Sequence, residues 1–365
     1  MKKVSVITMH RIYNYGSVLQ TYATQKLFED KGFDCEIVDY ISPYRAKKPL
    51  FLEYPPSLKG KKLKKAVYYT AKVPSFILKD HTFGSFIKKY LHLSKQQYIT
   101  NEDILKAPPQ ADIYVSGSDQ VWNSKYNHGV DKSYYLNYAP PSAPKYAFVS
   151  SFGKTSLEQD EMDAVRPMLS DYKKLSVRED SAVQILSEMG IPSECLIDPT
   201  LQIDRTHWQS LASKRLVKEK YLLLFLLYNE DNGATEYAQK IAKEKGLKVV
   251  KLSWEIKKAK GIDRLFTHRK PQDFLSLFQY ADFIVTNSFH GTAFSINLNK
   301  QFIFVPRSEF NGRIESLLRL FHLENRKVTA SDELTVVHQT IDYDPVNEIL
   351  KKERERADVF LSAVV

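Results

Sequence analysis

Short apolar runs recur along the chain, with amphipathic stretches between them. Residues 4–8, 35–40, 111–116, 146–150, 175–178 and 195–197 read as strands, and 17–31, 157–169 and 181–190 read as helices. The alternation resumes with apolar runs at 221–228, 247–252, 281–285 and 301–305. Helical stretches at 234–245 and 271–280 and a helix capped by Asn287 or Ser288 lie between them. Helices at 313–321 and 345–363 finish the chain. Apolar runs this short, separated by helices, predict buried parallel strands joined by crossover connections. The expected fold is α/β, with two Rossmann-like parallel-sheet domains facing a cleft. One spans 1–215 and carries a basic, aromatic insertion at 41–100; the other spans 216–365. The boundary is expected in the polar, basic stretch 208–220. Neither half shows a G-x-G-x-x-G or P-loop pattern, so dinucleotide and P-loop readings carry little weight.

Charge alters this picture at one place. The chain carries a formal +10, and residues 41–79 hold ten Lys or Arg against Glu53 alone, nearly the whole excess. Elsewhere the balance is close to neutral, which argues against a nucleic-acid binder. The same segment is rich in Phe, Tyr and Leu. Basic and aromatic residues together on a helix suit an anionic membrane surface or an anionic acceptor; a solvated insertion with no specific partner is the alternative. Met1-Lys2-Lys3 leads into only a short apolar run, so no signal peptide is expected. The apolar run 221–228 is too short to span a bilayer. Cys35 and Cys195 have no pairing pattern and no metal-ligand spacing. The expected location is the cytoplasm, including peripheral contact with the inner face of the membrane through 41–79, and no metal is expected.

The most informative stretch is 286–298, T-N-S-F-H-G-T-A-F-S-I-N-L. It places His290 at a strand-to-helix turn, where ligands of parallel sheets bind and helix N-termini offer N–H groups to anions. Asn287, Ser288, Gly291 and Thr292 surround it, and Gly291 leaves room for a ligand to approach the backbone. Three other strand ends carry polar chemistry. Asn14, Gly16 and Ser17 lie in the turn after the first strand, as an anion-binding turn or an ordinary helix cap. Ser118, Asp119 and Gln120 follow the strand ending at Ser116, with Trp122 adjacent; packing alone does not call for so many polar groups. Arg178 ends the strand 174–177, where it can fork onto a carboxylate or phosphate, or pair with Glu179 or Asp180. Arg307 and Arg313 can add positive charge near His290, or lie solvated on the surface.

The blocks N-Y-G-S-V-L-Q-T-Y-A from Asn14, G-S-D-Q-V-W-N at 117–123, S-V-R-E-D with L-I-D-P-T-L in 176–201, and S-F-H-G at 288–291 occur in this order in one family. Over about residues 4–306 the chain resembles polysaccharide pyruvyl transferases. That resemblance implies a GT-B-like pair of domains. It also implies transfer of pyruvate from phosphoenolpyruvate onto two hydroxyls of a sugar, as a ketal, in bacterial surface polysaccharide synthesis. His290 would be the general acid and base, and Asp119 a second catalytic group. Arg178, Asn287, Ser288, Gly291, Thr292, Arg307 and Arg313 would bind the donor, and the loops at Asn14–Ser17 and Ser118–Gln120 the acceptor or donor. No cofactor is implied beyond phosphoenolpyruvate as co-substrate. The expected partners are phosphoenolpyruvate and a sugar acceptor, either free or lipid-linked, and no nucleic acid. Two other readings stand beside it: a GT-B glycosyltransferase using a nucleotide sugar, and a non-catalytic carbohydrate- or membrane-binding protein.

Overall fold

The computed structural model describes residues 1–42, 60–227, 231–254, 260–308, 311–329 and 334–364. Side chains 62, 69, 71, 72 and 74–76 lie outside this description. The parts of the basic segment at 43–59, and the end of the apolar run at Tyr228, therefore fall outside it. The chain divides into two compact units, 1–152 with 158–174, and 153–157 with 175–365.

In the first unit five strands are all parallel: β1 (Lys3–Ile7), β2 (Asp34–Tyr40), β3 (Leu93–Tyr98), β4 (Ile113–Ser116) and β5 (Lys145–Ser150). They lie in the order β3-β2-β1-β4-β5. The chain builds outward from β1 in one direction, then returns to continue from β4 in the other. The switch point therefore falls between β1 and β4, whose following loops diverge there. Helix α1 (Tyr15–Asp30) packs after β1, and the long helix α2 (Lys62–Tyr90) packs on α1 through Tyr15–Phe83 and Tyr22–Phe86 ring contacts.

The expected insertion at 41–100 ends in β3, which pairs with β2 and so belongs to the sheet. Its sequence, L-S-K-Q-Q-Y, has exposed Lys95, Gln96 and Gln97 in the middle, and so lacks the apolar run of a buried strand. It is an edge strand, and charged or polar residues there discourage pairing with other chains.

In the second unit β6 (Lys174–Val177) and β7 (Glu194–Cys195) pair in parallel. A separate five-stranded parallel sheet holds β8 (Tyr221–Phe225), β9 (Lys248–Ser253), β10 (Arg264–Thr267), β11 (Phe283–Thr286) and β12 (Phe302–Phe304). Its order is β10-β9-β8-β11-β12, which puts a second switch point between β8 and β11. Strand β10 was not anticipated. Its sequence R-L-F-T is short and half-buried throughout all but its first residue, so it gives little periodic signal. On one side of this sheet Leu222, Leu224, Val285 and Ile303 pack against Ala238 and Ile241 of the helix Ala234–Lys245. Elsewhere in the core, Phe225, Phe274 and Phe294 meet edge to face. The two parallel-sheet α/β domains expected from the pattern are both present.

Candidate active site

Helix α3 (Phe289–Asn297) follows β11 at the second switch point, and every residue in it is buried. Ser288 caps it, accepting from the Gly291 N–H at 3.2 Å. Asn287 spans the switch point: its Oδ1 accepts from the Leu227 N–H at 2.7 Å, tying the end of β8 to the end of β11. Thr292 Oγ1 donates to the Ser288 carbonyl at 3.1 Å. Gly291 has a packing reason that the sequence did not disclose. A Cβ at this position would fall on Thr286 Oγ1 and come within 3.1 Å of Thr286 Cβ. Thr286 Oγ1 is itself fixed, donating to the Phe225 carbonyl and accepting from the Ser288 N–H. The bare backbone at 291 therefore serves the close approach of α3 to β11.

His290 lies at the start of α3 and is 8% exposed. Its Nε2 faces Asp198 Oδ2 at 3.7 Å. The same Asp198 oxygen accepts from Arg178 Nη1 at 2.8 Å, with the two side chains only 0% and 1% exposed. Asp198 Oδ1 accepts from the Thr200 N–H at 2.9 Å and the Thr200 hydroxyl at 2.7 Å, capping the short helix Pro199–Gln202. Burial alone would raise the Asp198 pKa. The charges of His290 and Arg178 and the hydrogen bonds to Arg178 and Thr200 outweigh it and hold the carboxyl below its usual range. Arg178 thus binds a carboxylate, that of Asp198. It holds Asp198, which in turn faces His290.

Phe289 links these groups to a second cation. The Arg178 guanidinium lies 4.7 Å from the Phe289 ring centroid and that of Arg313 lies 5.7 Å from it. The His290 ring meets the same phenyl edge to face, with centroids 5.2 Å apart. Arg313 is half-buried, in the first turn of the helix Gly312–Leu320. Arg307 is also half-buried, with its backbone bound at both ends to the Asn311 side chain. The segment carrying Asp198 is pinned from two sides. Asn297, at the end of α3, donates to the carbonyls of Thr200 and Ile203, and Arg354 of the C-terminal helix donates to those of Leu201 and Ile203.

Asp198 is the residue that sequence reasoning missed. In L-I-D-P-T-L it reads as an N-cap, and it is one, through Oδ1; its other oxygen does the unexpected work.

The polar groups of the first unit gather at the β1/β4 switch point. Asn14 caps α1, accepting from the Gly16 N–H at 2.9 Å. The Ser17 hydroxyl donates to Asp119 Oδ2 at 2.7 Å, and Asp119 Oδ1 accepts from the Gln120 N–H at 2.9 Å. The two loops separated by a hundred residues are thus joined at Ser17 and Asp119. Asp119 has φ 74°, in the left-handed region that favours glycine or asparagine, so its backbone is under local strain. Gly117 lets β4 approach β1: a Cβ there would come within 3.0 Å of Val6 Cγ1 and 3.1 Å of Thr8 Cβ. Ser118 is fully buried and its carbonyl accepts from Thr8 Oγ1. The Gln120 side chain accepts from Asn123 Nδ2 at 2.7 Å. Trp122, adjacent to this loop, belongs to the core. It stacks on Tyr135 at 5.7 Å, packs against Phe152, and donates from Nε1 to the Tyr134 carbonyl.

At the same end of β1 and β2 lies an ion cluster with no sequence signal. Asp39 accepts from Arg11 Nε and Nη2 at 2.6 Å each, meets His10 Nε2 at 3.0 Å and accepts from Gln97 Nε2 at 3.1 Å. Burial pushes the Asp39 pKa up, but these partners outweigh it and hold the carboxyl far below the usual range. The candidate residues therefore fall into two groups: Asn14, Gly16, Ser17, Ser118, Asp119 and Gln120 in the first unit, and Arg178 with residues 287–313 in the second.

Parallel sheets with buried polar side chains collected at both switch points define a two-domain α/β protein. Residues 14–309 of the 365 match the family model for polysaccharide pyruvyl transferase, and the chain belongs to that family. It is accordingly a transferase acting on polysaccharide. Comparison with curated proteins finds no match. Among solved structures the chain is similar to UDP-N-acetylglucosamine 2-epimerase from Rickettsia bellii, at 15% identity and TM-score 0.45, covering 100% of this chain and 98% of that one. It is also similar to MurG from Acinetobacter baumannii, at 11% identity and TM-score 0.47, covering 100% and 99%. A third is the glycotransferase of kitacinnamycin, at 13% identity and TM-score 0.47, covering 100% and 97%.

Proposed function

We propose that this transferase moves pyruvate from phosphoenolpyruvate onto two hydroxyls of a sugar, forming a ketal in the synthesis of a bacterial surface polysaccharide. The observation that carries this reading is the chain Arg178–Asp198–His290, with Arg313 sharing the Phe289 ring.

Phosphoenolpyruvate carries a carboxylate and a phosphate, and the two guanidiniums around Phe289 supply the positive potential that such an anion needs. Arg178 is committed to Asp198 through Nη1, so the half-buried Arg313 is the better placed of the two for direct contact. Protonated His290 delivers a proton to the enol methylene, which becomes a methyl group and leaves oxocarbenium character at the central carbon. One sugar hydroxyl adds to that carbon and gives its proton to the imidazole, which restores the acid. The C–O bond to phosphate then breaks, the second hydroxyl closes on the same carbon, and its proton leaves with phosphate. Asp198 attracts and orients the imidazolium, as a carboxylate does for a catalytic histidine elsewhere. A group in this role typically contributes about 10²–10⁴-fold. Asp119, poised by Ser17 and the Gln120 N–H, accepts or orients an acceptor hydroxyl.

Thermal unfolding with phosphoenolpyruvate and with UDP tests the donor. Ligand at a hundred times its dissociation constant stabilises by about 2.7 kcal/mol. A shift with phosphoenolpyruvate that shrinks in Arg313→Ala supports the proposal. A shift with UDP alone would replace it with a nucleotide-sugar glycosyltransferase.

A further inference from the structure

We propose that helix α2 docks the chain on an anionic lipid bilayer through one row of apolar side chains. This rests on surface geometry and stands apart from the pyruvyl-transfer reading. Leu63, Val67, Ile77 and Leu78 are 80%, 63%, 59% and 51% exposed, four of the most exposed large apolar residues of the protein. At about 100° per residue, taking Leu63 as zero, Val67 falls near 40°, Ile77 near −40° and Leu78 near 60°. They form a single arc roughly 100° wide, over a length of about 22 Å at 1.5 Å per residue.

The buried residues of α2 lie on the opposite side. Phe83, Phe86 and Ile87, each at most 2% exposed, fall near 200°, 140° and 240° on the same count, and they face α1. The helix is therefore apolar outward over 63–78 and inward over 83–87, and among the described residues only the inward face is seen against a neighbouring helix. That is unlike a surface helix whose outer face is polar.

Charge selects the occupant. The sequence of α2 contains seven lysines against one acidic residue, Asp80, and Asp80 accepts a hydrogen bond from the Tyr13 hydroxyl. Exposed Lys64 and Lys89 fall near 100° and 80° on the same count, along one edge of the apolar arc, and exposed Lys88 near −20°, in line with it past Leu78. Residues 41–61, immediately before α2, add five further basic side chains against Glu53. An apolar arc with lysines along one edge and past its end, and almost no carboxylate, matches lipid tails beneath anionic headgroups, with the lysine stems reaching outward to phosphate. No helix among the described residues is long and apolar enough to cross a membrane, so the contact would lie in the plane of the surface.

Co-sedimentation of the full chain with vesicles tests this, comparing pure phosphatidylcholine with phosphatidylcholine containing phosphatidylglycerol. The expected result is binding to the anionic vesicles only, weakened by salt. The double variant Val67→Glu/Ile77→Glu should lower the partition coefficient by about tenfold or more, and should melt at the wild-type temperature because both side chains are exposed. Failure to bind anionic vesicles, or equal binding by the double variant, overturns the proposal. So does a concentration-dependent dimer that the double variant abolishes, which would make a second copy the occupant of this face.

Discussion

Replacing Asp198 by Asn tests the buried centre of the site. The substitution keeps the side-chain shape and leaves an oxygen to accept from the Thr200 N–H and hydroxyl. It places an amide NH₂ or an uncharged oxygen against the Arg178 guanidinium, which is 1% exposed and loses the negative charge of Asp198. Breaking a buried pair from one side costs about 3–5 kcal/mol, because the remaining charge stays desolvated. At roughly 2–4 °C per kcal/mol for a unit of this size, the second unit should melt about 6–20 °C lower. Adding Arg178→Met removes the buried guanidinium that faced Asp198. The double variant should regain most of the loss, while both variants remain inactive because His290 has lost its carboxylate. The pH dependence has a fixed sign. Asp198 has its pKa lowered in the fold, so its contribution is present above the unfolded value near 3.9 and is lost as pH falls through the folded one. The melting gap between wild type and Asp198→Asn should close in acid. Urea and thermal unfolding of the three proteins from pH 7 to pH 3 make the measurement. A cost below about 1 kcal/mol for Asp198→Asn, or no recovery with Arg178→Met, would mean that the Arg178–Asp198 pair does not hold the site together.

Gly291→Ala should destabilise the second unit by about 1–3 kcal/mol, because its methyl group meets Thr286 Oγ1 and α3 must move off β11; urea unfolding reads this. Asp119→Asn should keep the wild-type melting temperature, since Asn tolerates φ 74°, while turnover falls by about 10²-fold or more. Asp119→Val should in addition lose about 1–3 kcal/mol to backbone strain. Neither cysteine should react with a thiol reagent at pH 8 until the chain is unfolded. Burial raises the Cys35 thiol well above its usual value, and burial followed by Asp180 and Glu179 pushes Cys195 up to about 12, so little thiolate forms.

The alternation of apolar runs and helices was enough to place nearly every strand that is buried on both faces, because such strands are continuous in sequence. Strands β3 and β10 were missed because they are only partly buried and carry polar residues. The polar turns at Ser17, Asp119 and His290 were legible as strand ends. Their positions at the switch points were not, since strand order is set by which strands pair across long crossovers. Asp198 illustrates the same limit. A carboxylate before Pro-Thr already has a local use as a helix cap, and nothing in the chain shows that its second oxygen meets an arginine twenty residues away and a histidine ninety-two residues away. Gly291 and Trp122 have packing contacts, with Thr286 and with Tyr135 and Phe152, that the sequence did not disclose.

The most direct test of pyruvyl transfer follows the donor's methylene carbon. Phosphoenolpyruvate isotopically labelled at that carbon would be incubated with the chain and surface glycans from a bacterial envelope, and the glycan examined by carbon NMR. The account predicts that label appears as a methyl group on a ketal carbon with wild type, with phosphate released in equal amount, and not with His290→Ala. Label that stays in phosphoenolpyruvate, while the same glycans gain sugar from a nucleotide donor, would contradict it.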